Sequence, residues 1–576
     1  MKPKRSKPVQ AEFQQFLVLL RHFLLRLFNN DILKFEDQRR ESMIIMLTFF
    51  IAGGGIIAAF ILMPYLLAML GYTSETAWVE KNFFMTLSMA LTGIISVINW
   101  NNMFLDEKDY LYLSSLPVST NTLFTAKFFS LLAFVGILSL AFHFFPIFIF
   151  TFFLGEMYNV NPFYQTSIFQ FGAVHLFSSF MANLFVFLLV ALIQGILMLL
   201  LDSKRFKKVS MVIQPLLIMG FVSILIWFPQ FVSTMEKLKD KYASFIYYFP
   251  PMWFVGFYEQ MIGNYDIMFK KLFYIAPIAV TVLVDLYILS IPLCFKRFSR
   301  PASIGKIRGR FSTALGSLKK MLETKFLENP IQKAIFYFSL STLNRSRKHK
   351  LQLAIYVALP LTFIVTELII LLYRNGWKYF NAIHPFLITI PLLLYIFIIL
   401  GFRVVVMHPI SEGANWVFRL TEQRNPTHCM KGLKKVIFLI GILPVFILVF
   451  LFYFYCWGVM TAVFHSFFSA ITAWLFLEIF FINYQKMPFV SGYVPGKAKI
   501  KYFWALYLVG FVAYTWFFSA LGLFLIKNPL FYIIYYILVA DVLYLIKRYQ
   551  TRRNQTFQFV FDEDPEPAML GLGFDL

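Results

Sequence analysis

The chain has 576 residues, of which 59% are hydrophobic, 20% aromatic and only 14% charged. This balance excludes a water-soluble globular protein of this size and predicts an all-α polytopic membrane protein. The net charge of +23 would raise the question of nucleic-acid binding in a soluble protein. Here the basic residues lie between apolar runs, so we assign them to a membrane surface with anionic lipids and expect no nucleic-acid partner.

Twelve apolar runs predict transmembrane helices, because about 20 helical residues cross about 30 Å of hydrocarbon. The runs cover residues 43–70, 83–104, 128–154, 171–201, 209–232 and 272–295 in the first half, and 351–373, 385–402, 436–463, 464–484, 502–526 and 530–546 in the second. With a cytoplasmic N-terminus, most of the 52 Lys and Arg residues fall on the inner side. The positive-inside rule therefore predicts cytoplasmic termini, and we expect a bacterial inner membrane.

An amphipathic helix is predicted before the first run, since apolar residues from Phe13 to Leu27 recur at steps of three and four. Such a helix is suited to the membrane interface. Within the first run, Gly53, Gly54 and Gly55 indicate either close helix packing or a bend, and we favour packing.

A charged insert, residues 106–120, joins the second and third runs and must lie in water at a membrane face. In a short helix, its residues at i, i+3, i+4 and i+7 share one side: Asp106, Asp109, Tyr110 and Leu113. Pro117 ends this helix, because proline lacks the next backbone donor. Such a helix is suited to pass a push from a soluble partner into the membrane, and an ordinary solvated loop is the alternative.

The loop before the sixth run is aromatic from Tyr247 to Glu259, too much so to float freely in water. We expect it to return to the membrane interface, as aromatic-belt residues do. It is interpreted either as a cap over an exit route or as an interfacial anchor.

Four acidic residues lie inside apolar runs, where a charge is costly and is expected to face the bundle interior or water: Asp285, Glu367, Glu478 and Asp541. Asp285 and Asp541 are the candidate intramembrane polar residues, as proton or substrate contacts. Glu367 and Glu478 lie near the ends of their runs. For all four, hydrogen bonding to a neighbouring helix or basic cluster is the simpler interpretation.

The second half repeats the plan of the first, which suggests a parallel duplication. The predicted parts are a six-span unit over 1–298, a basic cytoplasmic linker with a second interfacial helix over 299–350, a second six-span unit over 351–546 and a cytoplasmic tail over 547–576. Between the second and third runs of the second half, Trp416, Arg419 and Glu422 mark a second short surface helix.

The sequence contains no nucleotide-binding or hydrolytic motif. The nearest approach to a Walker motif, residues 492–498, is one residue short and has Ala498 where a hydroxyl residue is required. The usual zinc- and serine-hydrolase motifs are absent. Cys294, Cys429 and Cys456 are too scattered for a disulfide framework or a metal cluster. We expect no enzyme activity, cofactor or metal in this chain.

The insert carries a resemblance to a known family. The letters DEKDYLYLSSLP at 106–117, with TAK at 125–127, resemble type-2 ABC exporter permeases, whose interfacial helix, six-span unit and aromatic loop before the sixth span this chain also shares. The resemblance implies that the insert is a coupling helix that docks on an ATPase subunit. The implied coupling residues are Asp106, Glu107, Asp109, Tyr110, Leu113, Leu116 and Pro117, with Trp416, Arg419 and Glu422 at the second site.

The resemblance further implies the permease subunit of an ATP-driven exporter. ATP and Mg²⁺ would belong to a separate cytoplasmic ATPase, present in two copies, and one fused chain would supply the complete membrane path. Two other classes stay open: a proton-coupled secondary transporter that uses Asp285 and Asp541, and a lipid scramblase or membrane-embedded enzyme. The sequence does not name the exported substrate.

Overall fold

The computed structural model describes residues 8–28, 39–68, 77–105, 109, 113, 115–149, 151, 168–241, 246–263, 266–298, 327, 329–377, 380, 382–408, 426–482, 484, 487–490 and 500–554. Every regular element in these ranges is helical, so the predicted all-α class is confirmed. Among these residues, ten helices are long and apolar enough to cross a membrane. The chain is therefore an integral membrane protein.

The chain divides into two compact units, Met1–Ile304 and Gly305–Leu576. The helices of the first unit are α1 (Pro8–Phe28), α2 (Arg39–Ala68), α3 (Ala77–Ile98), α4 (Thr120–Ile149), α5 (Ile168–Leu200), α6 (Ser203–Lys241), α7 (Pro250–Met261) and α8 (Ile267–Phe298), with a 3₁₀ turn at Trp100–Asn102. Those of the second unit are α9 (Pro330–Arg345), α10 (Arg347–Asn375), α11 (Pro385–Met407), α12 (Pro426–Ile437), α13 (Leu443–Trp457), α14 (Val459–Phe480), α15 (Ile500–Lys527) and α16 (Phe531–Asn554). A π-helical turn, Phe438–Ile442, joins α12 to α13 without a break.

Each of the twelve predicted runs lies largely on helix, the ninth mainly on the π-helical turn and α13, with its last residues on α14. The first and twelfth runs are not among the ten span candidates. In α2, the apolar stretch found among the residues searched is Met46–Ala59. In α16, tyrosines and Asp541 interrupt the apolar sequence, and Arg552 and Arg553 follow in its last turn.

The predicted boundary between the ninth and tenth runs, after Val463, is wrong. Gly458 has a φ of 81°, in the left-handed region that favours glycine. The chain therefore breaks there, with α13 ending at Trp457 and α14 beginning at Val459. The sequence is apolar on both sides of this glycine, so composition did not reveal the break.

The predicted amphipathic helix is confirmed as α1, which packs on α4. Its buried stripe is Leu19, Phe23 and Leu27, whereas Phe13 and Leu17 of the predicted apolar face are exposed. α1 thus has one apolar face in the protein and another that suits contact with lipid.

Most helix-to-helix contacts within the first unit have a counterpart within the second unit. In the first unit α1 packs on α4, α3 on α5 and α6, and α5 on α4 and α8. In the second unit the corresponding helices do the same: α9 packs on α12, α11 on α14 and α15, and α14 on α13 and α16. The first spans differ, since α2 packs on α4 whereas α10 packs on α11. One packing plan therefore underlies both units, as a duplication would explain.

α7 has no equivalent in the second unit, where a short turn joins α15 directly to α16. In the first unit, α7 packs against α3, α5 and α8. Met252, Phe254 and Tyr258 on α7 are buried. The prediction that the aromatic loop does not float freely in water is therefore confirmed.

Gly54 marks a close approach between α2 and α4. A Cβ at Gly54 would lie 1.9 Å from the carbonyl oxygen of Phe142, whereas a Cβ at Gly53 would meet nothing within 4 Å. This contrast favours packing over bending as the role of the glycine run.

We expect Gly54→Ala to force α2 and α4 apart and to lower the free energy of unfolding by about 1–3 kcal/mol, the usual cost of overpacking. Gly53→Ala is the matched control and should be neutral or slightly stabilising, because alanine favours a helix over glycine. Thermal unfolding of the purified variants, followed by tryptophan fluorescence, measures the difference. Equal melting temperatures would contradict the packing interpretation.

Candidate functional site

The insert between α3 and α4 is only partly described. Six predicted coupling residues lie outside the described residues: Asp106, Glu107, Tyr110, Trp416, Arg419 and Glu422. The second predicted docking site therefore stays a prediction. Asp109, Leu113, Leu116 and Pro117 are described and show how the first insert is held.

Asp109 is turned toward α1. Its Oδ1 accepts a 2.6 Å hydrogen bond from Nη1 of Arg26, and its side chain is only 9% exposed. Leu113 packs against the cluster that contains Leu19 and Phe23 of α1. Asp109 and Leu113 therefore attach the insert to its own unit, and their predicted contact with a partner stays a prediction.

Leu116 and Pro117 form an exposed turn of the insert. The Leu116 side chain is 51% exposed, and its N–H donates to the carbonyl oxygen of Leu113. The carbonyl oxygen of Pro117 accepts a 3.4 Å hydrogen bond from Nε2 of Gln15 in α1. Among the described residues of the insert, Leu116 is a large apolar side chain that is exposed.

Lys127 of α4 links the segments that precede and follow the insert. Its Nζ donates a 2.6 Å hydrogen bond to the carbonyl oxygen of Asn102, in the turn after α3. The same ammonium lies 4.7 Å from the ring centroid of Phe23 in α1, and Lys127 is 1% exposed. The insert, α1 and the adjoining ends of α3 and α4 are thereby connected.

Asp285 and Asp541 were expected to face either the bundle interior or water, and the structure does not place them in the interior of their units. Both are exposed on the helix surface. On α8 the buried side chains include Leu283 and Tyr287, and on α16 they include Val539. Each aspartate lies two residues from a buried position, which places it on the opposite side of its helix.

Glu478 instead forms a buried pair within the second unit. Its Oε2 accepts a 2.5 Å hydrogen bond from Nζ of Lys434 and a 3.2 Å hydrogen bond from Nε2 of Gln550. The simpler interpretation, in which this acid bonds neighbouring helices and a basic residue, is confirmed for Glu478.

The first unit buries an ion pair that sequence reasoning missed. Nζ of Lys81 in α3 donates a 2.7 Å hydrogen bond to Oε1 of Glu259 in α7, and the two side chains are 2% and 0% exposed. The ammonium also lies 4.3 Å from the ring centroid of Tyr258 and 5.1 Å from that of Phe171. Removing one partner of a buried pair costs about 3–5 kcal/mol. The pair therefore holds α7 against α3.

Beside this pair lies a chain of hydrogen bonds between α3, α4 and α5. Nδ1 of His143 is 3.1 Å from Nε2 of His175, and Nε2 of His143 is 2.9 Å from Oγ of Ser88. All three side chains are buried. Two neighbouring imidazoles in contact inside a membrane bundle are a polar feature that apolar packing does not require.

Asn183 fixes the direction of this chain. Its Oδ1 accepts hydrogen bonds from Ser88 at 2.9 Å and Thr92 at 3.1 Å, while its Nδ2 donates to Ser139. Because Ser88 donates its proton to Asn183, Ser88 Oγ accepts from His143. Nδ1 of neutral His143 then accepts from Nε2–H of His175. The series of hydrogen bonds therefore runs in one direction, from His175 to the amide of Asn183, and an amide does not carry a proton onward.

The sequence of α3 indicates part of this polar network. Among the ten span candidates, α3 has the lowest mean hydropathy, 1.4, and 72% of its window is buried. Seven polar residues on α3 or directly after it are buried: Lys81, Asn82, Thr86, Ser88, Thr92, Ser96 and Asn99. The partners come from α4, α5 and α7, however, and no local pattern identifies them.

A related histidine lies at the same place in the second unit. The pattern His-x-Phe-x-Ser occurs at 175–179 on α5 and at 465–469 on α14. His465 is fully buried, with its ring 5.1 Å from that of Tyr453 and 5.4 Å from that of Phe468. Tyr453, on the third span, thus takes the place that His143 has in the first unit. The two units differ by a polar contact in one and an aromatic contact in the other.

Comparison with known proteins found no protein-family model, no curated protein and no solved structure that matches this chain.

Asp109→Arg should destabilise the protein by about 1.5–3 kcal/mol, since it removes a charged hydrogen bond and brings two guanidinium groups together. The double variant Arg26→Asp with Asp109→Arg should recover most of this loss. Asp202→Arg is the control, because the Asp202–Arg205 pair is 3.9 Å apart and exposed, and such pairs contribute less than about 1 kcal/mol. Thermal unfolding measures all three variants, and equal effects of Asp109→Arg and Asp202→Arg would exclude the attachment of the insert to α1.

Asn183→Leu removes three side-chain hydrogen bonds at similar volume. We expect it to lower the free energy of unfolding by about 2 kcal/mol, because an interhelical hydrogen bond in a membrane averages about 0.6 kcal/mol. Thr281→Val is the control, since that hydroxyl donates to Pro277 of its own helix and its loss should cost less than about 0.5 kcal/mol. The measurement is again the melting temperature. If Asn183→Leu is as stable as Thr281→Val, the hydrogen bonds of Asn183 do not contribute to stability.

Proposed function

We propose that this chain is the membrane-spanning subunit of an ATP-driven exporter, with a separate cytoplasmic ATPase as its energy source. The observation that carries the proposal is the connection of the insert to its surroundings. Arg26 binds Asp109 of the insert, and Lys127, in the helix after the insert, binds Asn102 in the turn before it. A loop attached in this way can transmit a displacement to the helices around it.

The connection defines how force would travel. A push on the insert displaces α1 through the Arg26–Asp109 pair and displaces the ends of α3 and α4 through Lys127. α3 packs on α5, α6 and α7, so its displacement reaches most of the first unit. Closure of a nucleotide-bound ATPase pair would supply the push, as the family resemblance implies.

The orientation is part of the proposal. The positive-inside rule places the N-terminus and the insert in the cytoplasm. The basic turn at the start of α6 fits the same side, since Lys204, Arg205 and Lys207 are exposed there and suit anionic headgroups. The α7 end of the first unit then faces the outside.

In this proposal the chain carries no nucleotide chemistry of its own. Its residues receive, transmit and use the movement, while ATP and Mg²⁺ bind to the partner. A carrier driven by protons at Asp285 and Asp541 is the main rival, and the exposed position of both residues offers it no support.

The test is purification of the chain from its native membranes, followed by reconstitution into vesicles. We expect a soluble subunit with an intact Walker motif to co-purify in fixed stoichiometry and ATP hydrolysis to depend on the presence of this chain. Full activity of the reconstituted chain without ATPase or nucleotide would overturn the proposal.

Leu116→Asp should weaken binding of the ATPase about tenfold or more, because it places a charge on the exposed apolar side chain of the insert. Thermal stability should be unchanged, since Leu116 is exposed. Tyr549→Asp, at an exposed residue of α16, is the control for a charge added at a site away from the insert. Affinity is measured with the purified subunits, and equal affinities of the two variants would contradict docking at Leu116.

A further inference from the structure

The second unit has a groove between α11 and α15 that the proposed coupling does not use. Its volume is about 420 Å³, within the range of small-molecule sites. Only 22% of the apolar window of α15 is buried, so the groove opens on an exposed face of the unit. The groove exists because the small side chains of Ser519 and Ala520 lie between the larger Trp516 and Leu523.

The bottom of the groove is closed. α11 and α15 approach closely at Gly522, where a Cβ would lie 2.8 Å from Cγ2 of Ile388. A 2.8 Å hydrogen bond from Thr389 Oγ1 to Ser519 Oγ also joins the two helices. Ser519 Oγ in turn donates a 3.2 Å hydrogen bond to the carbonyl oxygen of Pro385. The groove is therefore a slot in the surface of the unit and not a passage into it.

The length of the groove matches one lipid leaflet. Along α15 its lining extends from Val512 to Leu523, about 16 Å of helix. Half of the hydrocarbon core is about 15 Å thick. Packed helices have axes about 8–10 Å apart, so the slot between two neighbours is about one chain wide. Trp516, with 73% of its surface exposed, forms one wall. These dimensions fit a single acyl chain.

The hydroxyl groups that line the groove already use their protons within the protein. Thr515 Oγ1 donates to carbonyl oxygens of its own helix. Thr389 and Ser519 donate to each other and to Pro385. A hydroxyl group has one proton and two lone pairs. What these side chains can still offer is lone pairs, so a ligand held by them must bring an O–H or N–H donor.

A positive charge lies at one end of the groove. Lys527 is the last residue of α15 and is exposed. It follows Leu523 by four residues, which places both on the same side of the helix. Helical side chains lean toward the N-terminus of their helix, so the Lys527 ammonium is placed near the end of the groove. A cation at this position favours an anionic head group.

We propose that the α11–α15 groove is a binding site for a single-chain phospholipid. Its acyl chain lies along Trp516, its free hydroxyl donates to the oxygens of Thr389 and Ser519, and its phosphate lies at Lys527. Lysophosphatidic acid is the smallest lipid with all three features. A diacylated phosphatidic acid has a second chain, and its ester groups only accept hydrogen bonds. The inference does not depend on the energy source of transport.

The experiment uses the full chain in phosphatidylcholine nanodiscs and lysophosphatidic acid with a diazirine at the end of its chain. After illumination, the labelled residues are mapped by peptide mass spectrometry. We expect saturable labelling of α15 near Val512 and Trp516, which unlabelled lysophosphatidic acid displaces. Labelling that does not saturate and covers the exposed faces of other helices equally would overturn the proposal. So would the absence of labelling on α15, the result expected if a protein segment fills the groove.

Three competing lipids test the three parts of the ligand. The analogue of lysophosphatidic acid without the hydroxyl should displace the label about threefold less well, because one hydrogen bond is lost. Lysophosphatidylcholine, which has no net charge, should be about fivefold weaker. Dioleoyl phosphatidic acid should not displace the label. Equal displacement by all of these lipids would contradict a specific site.

Two pairs of variants locate the site on the chain. Ala520→Leu fills the groove and should abolish the saturable labelling, whereas Ala540→Leu, at an exposed alanine of α16, is the matched control. Lys527→Gln should weaken binding about fivefold, and Lys547→Gln, at an exposed lysine of α16, should not. Melting temperatures should be unchanged, since all four residues are exposed. Full labelling of Ala520→Leu would show contact with bulk lipid only, and equal affinities of the two lysine variants would exclude Lys527 as the phosphate contact.

Discussion

The structure depends on one constraint: a polar group inside a membrane bundle must find its partner within the protein. Lys81 meets this requirement through Glu259 and two aromatic rings. Lys127 meets it through a backbone carbonyl. In both cases the partner lies on another element, so the cost of a buried charge becomes a specific tie between helices. The same requirement explains why α3, the span candidate with the lowest mean hydropathy, also has the largest buried share among them, 72% of its window.

The sequence predicted the helices well because their signals are local. Length and apolar content located the spans, and the spacing of apolar residues located α1. Gly458 was missed as a boundary because only its backbone conformation, and no change in composition, separates the two helices. The buried face of α1 differs from the predicted one because α1 packs against α4 and the insert. This packing buries Phe23 and leaves Phe13 exposed.

The candidate site was harder to predict because its contacts join distant residues. Asp109 was identified from its charge, but its partner Arg26 lies 83 residues earlier in the chain, and nothing local indicates that they pair. Glu259 lay in a segment recognised for its aromatic residues, so its acid was overlooked. Asp285 was retained because it interrupts an apolar run, yet the face on which it lies depends on tertiary packing.

The two units show how one packing plan accommodates different interiors. His175 and His465 occupy the same place on their fourth spans, but one meets His143 and the other meets Tyr453. Only the first unit has α7. The first unit therefore has two imidazoles in contact at this level, whereas the second has one imidazole among aromatic rings.

The π-helical turn at Phe438–Ile442 determines the directions in which side chains on α12 and α13 point relative to one another. A regular helix rotates about 100° per residue, so Lys434 and Tyr453 would otherwise differ in direction by roughly a quarter turn. A π turn takes up one additional residue, and both side chains meet α14, Lys434 at Glu478 and Tyr453 at His465. The extra residue thus brings Lys434 and Tyr453 to the same side of the continuous α12–α13 helix. Two contacts far apart along this helix are therefore made with the same neighbouring helix, α14.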